Sequence, residues 1–235
     1  MWQHPGMSDT FQTFDIEARY LFAQRSFAEM ARGLSDDDWA TPMPCTPEWT
    51  VRDALSHVAG IPDDALAGRM DGAPGEAWTA AQIDRNRSLT VDELLDRWDA
   101  QAPAFAVLIQ QLGEGRPPFD CHTHEHDVRQ ALGRPGDRSS PIIEAMAADL
   151  ATIADCPVAL TVELVDGRVV RSGPAESTGA VVLTGITAFD VLRSRPGRRS
   201  REQVRAWDWS GADADIDAVI DRWFIFGPAT APIIE

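Results

Sequence analysis

The hydrophobic period changes once along this chain, and that change limits what it can fold into. Up to about residue 156 the apolar residues recur at intervals of three and four, whereas beyond Pro157 they alternate. The pattern predicts a mainly α chain with an α+β tail: a helical bundle over 8–156 and a small α+β domain over 157–235. Its 44% hydrophobic content is enough for one large core or two small ones.

Within the first part, Ile16, Tyr20, Leu21, Phe27, Met30 and Leu34 outline a helix over about 14–34. Pro42, Pro44 and Pro47 predict an extended loop, which ends where Thr50 and Asp53 form a capping box for a helix running from Val51 to about Gly60. The stretch 62–87 has no clear period and reads as irregular. Thr90 and Glu93 cap a third long helix, kinked at Pro103 and stopped at Gly113. A fourth helix is expected over 118–132, with Gly133 and Pro135 as its stop, and Ser140-Pro141 opens another that reaches Ile153. Past Pro157, Val158 to Val165, the turn Asp166-Gly167 and Arg168 to Arg171 read as a hairpin. Ala180 to Leu183 reads as a third strand, and Thr187 with Asp190 and Ser200 with Gln203 cap two short helices.

The net charge of −16 argues against nucleic acid and against an anionic membrane surface, because both repel a polyanion. No apolar run approaches the length of a membrane span and no signal peptide is evident, so a cytoplasmic protein with a small-molecule partner is expected. Cys45, Cys121 and Cys156 are odd in number and widely spaced, which suggests neither a disulfide framework nor a thiolate zinc site.

The helix over 118–132 carries three of the five histidines, and its periodicity separates them. At 100° per residue, Cys121, Val128, Ala131 and Leu132 share one stripe with His124, while His122 and His126 point elsewhere. Asp120, four residues before His124, and Asp127, three after it, lie at one edge of that face. Two readings follow. Either His124 is a core histidine bonded to one of these carboxylates, or it shares a metal ion with Asp120. His57, on the flank of the helix from Val51, is placed to line a cavity between helices. Six arginines between 193 and 205 form an isolated cationic cluster; they either pair with the acidic run over 208–221 or, with Arg193, Arg198 and Arg199 among them, form a carboxylate-binding patch near a cleft between domains.

Two stretches carry a family resemblance. Asp38-Trp39, Pro44-Cys45-Thr46-Pro47-Glu48-Trp49-Thr50-Val51-Arg52-Asp53 and His57 form the first, and His124-Glu125-His126-Asp127-Val128-Arg129 with Ala131-Leu132-Gly133-Arg134-Pro135 the second. Together they resemble the mycothiol-dependent maleylpyruvate isomerase family, itself part of the wider DinB-like metal-binding four-helix bundles. Phe189-Asp190-Val191-Leu192-Arg193 and Gly197-Arg198-Arg199-Ser200-Arg201 are similar to that family's C-terminal domain. The resemblance implies a divalent metal, usually zinc, held by His57, Asp120 and His124, with Asp127 orienting an imidazole. The family's isomerases carry Glu where this chain has Asp120, and His122 with His126 is an alternative pair at the same spacing. Two imidazoles and one carboxylate leave a coordination position open, and non-heme iron would fit the same set. The resemblance further implies mycothiol as thiol cosubstrate and a cis-trans isomerisation or thiol transfer on a small electrophile. A metal-dependent hydrolase and a non-catalytic carrier or regulator remain as alternatives.

Overall fold

A computed structural model describes residues 14–177 and 179–235. Helices α1 (Ile16–Arg32), α2 (Asp36–Trp39) and α3 (Val51–Leu66) come first, with a small hairpin of β1 (Pro42–Met43) and β2 (Thr46–Thr50) between the last two. Next are α4 (Glu76–Asn86), α5 (Val91–Leu112), α6 (Arg116–Leu132) and α7 (Pro141–Leu150). The remainder holds β3 (Ala159–Leu164), β4 (Val169–Ser172), β5 (Ala180–Ile186), α8 (Ala188–Ser194), α9 (Arg201–Arg205), β6 (Asp208–Ser210) and α10 (Asp213–Trp223). A helical N-terminal part is thus followed by an α+β part. None of the described helices is long and apolar enough to cross a membrane.

Local chemistry sets many of the helix ends. Thr50 with Asp53, Thr90 with Glu93 and Ser200 with Gln203 close reciprocal capping boxes, each satisfying two backbone donors that the helix itself cannot. Gly113 and Gly133 end α5 and α6 in the left-handed region, at φ 66° and 62°, where a Cβ would be strained.

Helices α1, α3, α5 and α6 form the four-helix bundle, with α1 and α3 each packed against both α5 and α6. Ala23, Phe27, Val51, Leu55, Val58, Leu95, Trp98, Cys121 and Val128 fill its main core. A smaller core lies towards one end, where Trp98 Nε1 donates to the buried Tyr20 hydroxyl at 2.9 Å and Tyr20 meets Phe105 edge to face.

In the second part the sheet order is β4-β3-β5-β6, with β3 and β5 parallel and the other pairs antiparallel. Leu160, Val162 and Leu164 of β3 and Val181, Leu183 and Ile186 of β5 face a core completed by Val191, Leu192, Val204, Ile216, Ile220 and Trp223. Ile142, Ile143, Met146 and Ala147 of α7 join this core too, although α7 precedes Pro157.

The structure departs from the sequence reading in several places. The prolines of 42–47 lie in a hairpin rather than a plain extended loop. Helix α3 runs through Gly60 and Pro62 to Leu66, because its last turns are tied to neighbours: Asp64, fully buried, accepts from Arg69 and Arg85, and Asp63 from Gln101. The stretch read as irregular contains α4, whose inward stripe is Trp78, Gln82 and Asn86. Two of those three are polar, so hydrophobic periodicity missed it. Strand β6 and helix α10 occupy the acidic run.

Gly60 is where α3 and α4 meet most closely. A Cβ there would stand 2.9 Å from Gln82 Cβ, an atom fixed to the α4 backbone. Gly60→Ala would recover up to about 1 kcal/mol of helix propensity but overpack by about 1–3 kcal/mol. Net destabilisation, read as a lower thermal midpoint, is expected; a midpoint equal to or above wild type would mean that α4 is free to move away.

Candidate metal centre

His57 comes from the middle of α3, and Asp120 and His124 from successive turns of α6, two helices that face each other in the bundle. The spacing of four residues stacks Asp120 and His124 on one side of α6. His57 Nε2 lies 3.6 Å from Asp120 Oδ2, and His124 Nε2 lies 3.7 Å from Asp120 Oδ1. Those gaps are too long for hydrogen bonds, yet one ligand atom from each residue lies within 4.8 Å of the others. Atoms that share a tetrahedral ion at about 2.0–2.2 Å stand about 3.3–3.6 Å apart, so the two histidine–Asp120 gaps are close to what a shared divalent cation needs.

The outer ring nitrogens point the same way. His57 Nδ1 donates to Gln82 Oε1 at 2.7 Å, which leaves the Nε2 lone pair facing Asp120. His124 Nδ1 faces Asp127 Oδ2 at 3.3 Å, a contact too poorly aligned to satisfy that nitrogen fully. Burial pushes the Asp120 carboxyl up, but the adjacent His57 and His124 rings outweigh it and hold it below the usual range. The carboxylate is therefore ionised and suited to a cation. Both imidazoles are buried, whereas the Asp120 side chain is 32% exposed and forms the mouth. Trp49 of β2 walls the centre, its ring 5.3 Å from His57 and 5.5 Å from His124, and Trp78 stands edge-on to His57 at 6.3 Å.

The alternative pair lies elsewhere. His122 and His126 are 4.4 Å apart, ring to ring, and His126 packs on Phe189 of α8 at 5.0 Å. They are buried, because the α+β part covers that side of α6. Burial pushes their pKa values down to about 3 and about 2, with Arg193 adding to the effect, so both rings are neutral. Among the described residues, the group of three or more His, Cys, Asp or Glu able to hold an ion is His57, Asp120 and His124.

Behind His124 the arginine cluster divides. Arg193 and Asp127 are both fully buried; Arg193 donates to Asp127 Oδ1 at 2.7 Å, to the Thr123 carbonyl at 2.9 Å and to Glu235 at 2.9 Å. Arg198 donates to Asp127 Oδ2 at 2.7 Å, and Arg199 reaches Glu235 at 2.9 Å and Asp190 at 3.4 Å. Arg201 and Arg205 pair with Asp213, Asp217 and Asp221 of α10, as the salt-bridge reading expects. Arg193, Arg198 and Arg199 therefore hold the chain's own groups rather than an open carboxylate site. Burial raises Asp127, but Arg193 and then Arg198 more than reverse this and hold it well below the usual carboxylate range.

Residues 22–133 match the family model of the mycothiol maleylpyruvate isomerase N-terminal domain. That match spans most of the helical bundle. No curated protein matches the chain. Among solved structures, the chain is similar to the mycothiol-dependent maleylpyruvate isomerase, at 12% identity and a TM-score of 0.46, over 78% of this chain and 88% of that one. A mutant of that isomerase is similar at 10% identity and a TM-score of 0.42, with the same coverage.

Sequence reasoning missed Gln82, Trp49 and Trp78 around the centre. Gln82 lay in the stretch without period, and neither tryptophan carries a local sign that it faces a histidine. Glu235, the partner of Arg193 and Arg199, was equally silent in the sequence.

Proposed function

We propose that this protein is a metal-dependent, mycothiol-dependent enzyme that isomerises a small cis-unsaturated acid or transfers a thiol to a small electrophile. The observation that carries the reading is the His57, Asp120 and His124 group inside a mycothiol maleylpyruvate isomerase N-terminal domain. A zinc-like ion held there would supply a Lewis acid that keeps a thiol ionised near neutral pH.

The chain's own residues do the rest. Gln82 fixes the His57 tautomer, Asp127 orients His124, and Trp49 and Trp78 keep water from the imidazoles. The chain's cysteines are poor sources of the nucleophile. Burial and then the charge of Asp127 push Cys45 up to about 12, and burial raises Cys121 well above its ordinary value. An external thiol fits better. Its sulfur would add to one alkene carbon of a cis-enone or enedioate, sending the electron pair to the adjoining carbonyl. Rotation about the resulting single bond and expulsion of the same thiol would give the trans acid; release of a protonated adduct would instead be net transfer.

In this reading the chain divides into a metal-binding bundle and a C-terminal unit that braces it through Arg193 and Arg198. The sequence boundary at 156/157 moves back to the loop over 134–140, since α7 buries its apolar face in the sheet core.

The test is turnover of maleylpyruvate, or of a related cis acid, by metal-replete protein with and without mycothiol. Activity is expected only with thiol. Equal turnover without it would assign the centre to an activated water and a hydrolase. Retained activity in protein stripped of metal would remove the reading.

A further inference from the structure

We propose a second ligand site, for a small aromatic carboxylate, on the far side of α6 from the metal centre. A cavity of about 440 Å³ opens there, lined by His126, Arg129, Gln130, Arg138, Phe189 and Glu235 among others. At 100° per residue, His126, Arg129, Gln130 and Gly133 cluster on one side of α6, well round the helix from Asp120 and His124. The volume suits a single-ring acid.

The charges lining the cavity do not cancel. Arg129 is held by Glu125, at 2.8 Å from Nε, and Glu235 by Arg193 and Arg199. Arg138 makes no ion pair within 4.0 Å among the described residues, and its Nε is buried with no hydrogen-bond partner. Its guanidinium lies 4.3 Å from the centroid of the Phe189 ring, which fixes the plane of its fork. A carboxylate entering the cavity would give the Arg138 guanidinium the ion pair that it lacks.

The other walls select the body of the ligand. The Phe189 and His126 rings stand at 5.0 Å, and Pro135 and Ile234 add apolar surface, so a flat apolar group is favoured over a sugar or a polyanion. Gln130 Nε2 makes only a long bond, 3.3 Å, to the Ile234 carbonyl and has a second N–H to offer.

Benzoate is the probe, titrated calorimetrically into metal-replete full-length protein. Saturable binding is expected, weakened about tenfold or more in Arg138→Gln, equivalent to about 1.4 kcal/mol, and less so in Arg138→Lys, which keeps charge but not the planar fork. Arg138 is only half-buried and has no protein partner to orphan, so both variants should fold. Binding should persist in His57→Ala, which separates this site from the metal centre and from the proposed thiol chemistry. Absence of saturable binding, equal affinity in Arg138→Gln, or loss in His57→Ala would each overturn the proposal.

Discussion

Replacing His57 by alanine is expected to reduce bound metal from about one ion per chain to a trace, and thiol-dependent turnover with it. Only two ligands would remain, both on α6, and an ion held by a carboxylate and one imidazole four residues apart has no cross-bundle anchor. Loss of a group that merely orients a ligand already costs about 10–100-fold in metal affinity, and loss of a ligand costs more. The substitution leaves the cap and core contacts of α3 intact, so helical content should hold. His122→Ala is the matched control, because its ring faces His126 and not Asp120. Metal retained in His57→Ala but lost in His122→Ala would move the site to the other side of α6 and end the ligand assignment.

The largest loss of stability is expected from Asp127→Ala. Arg193 is fully buried, and Asp127 is one of its two carboxylate partners and the shared anchor of Arg198. Removing one partner of a buried ion pair leaves an uncompensated charge, which costs about 3–5 kcal/mol. In a chain of this size that lowers the thermal midpoint by about 10 °C. The effects on the metal centre separate from this global loss. Asp127→Asn, which keeps an acceptor for His124 Nδ1, should retain more metal affinity than Asp127→Ala at a similar loss of stability. Arg198→Ala should be milder than either, because Arg198 is partly exposed and Arg193 would still hold Asp127. A midpoint shift under about 3 °C for Asp127→Ala would show that water or Glu235 takes over the buried charge.

These two experiments test different levels of the same arrangement. His57 reports on whether α3 and α6 share an ion. Asp127 reports on whether the α+β part, reaching in through Arg193 and Arg198, holds the helix that carries two of the proposed ligands. A construction of that kind makes the C-terminal part a brace for the centre even though none of its residues lies in the proposed ligand group.

The sequence by itself determined the features that depend on a residue and its near neighbours. The capping boxes at Thr50, Thr90 and Ser200, the glycine stops at 113 and 133, and the spacing that stacks Asp120 on His124 are all local, because helix geometry fixes which side chains meet within one turn or two. The hairpin of β3 and β4 around Asp166-Gly167 is local in the same sense. Tertiary structure decided the rest. Gln82 meets His57 across 25 residues, and Arg193 meets Asp127 across 66. It took the packing of α8 on α6 to bury His122 and His126, ion pairs to Asp63 and Asp64 to carry α3 past Gly60, and the sheet core to claim α7. Periodicity says which face of a helix is apolar, but not which distant element will cover it. Polar stripes such as that of α4 escape it altogether, because their partners are hydrogen-bonding groups brought close only when the chain is folded.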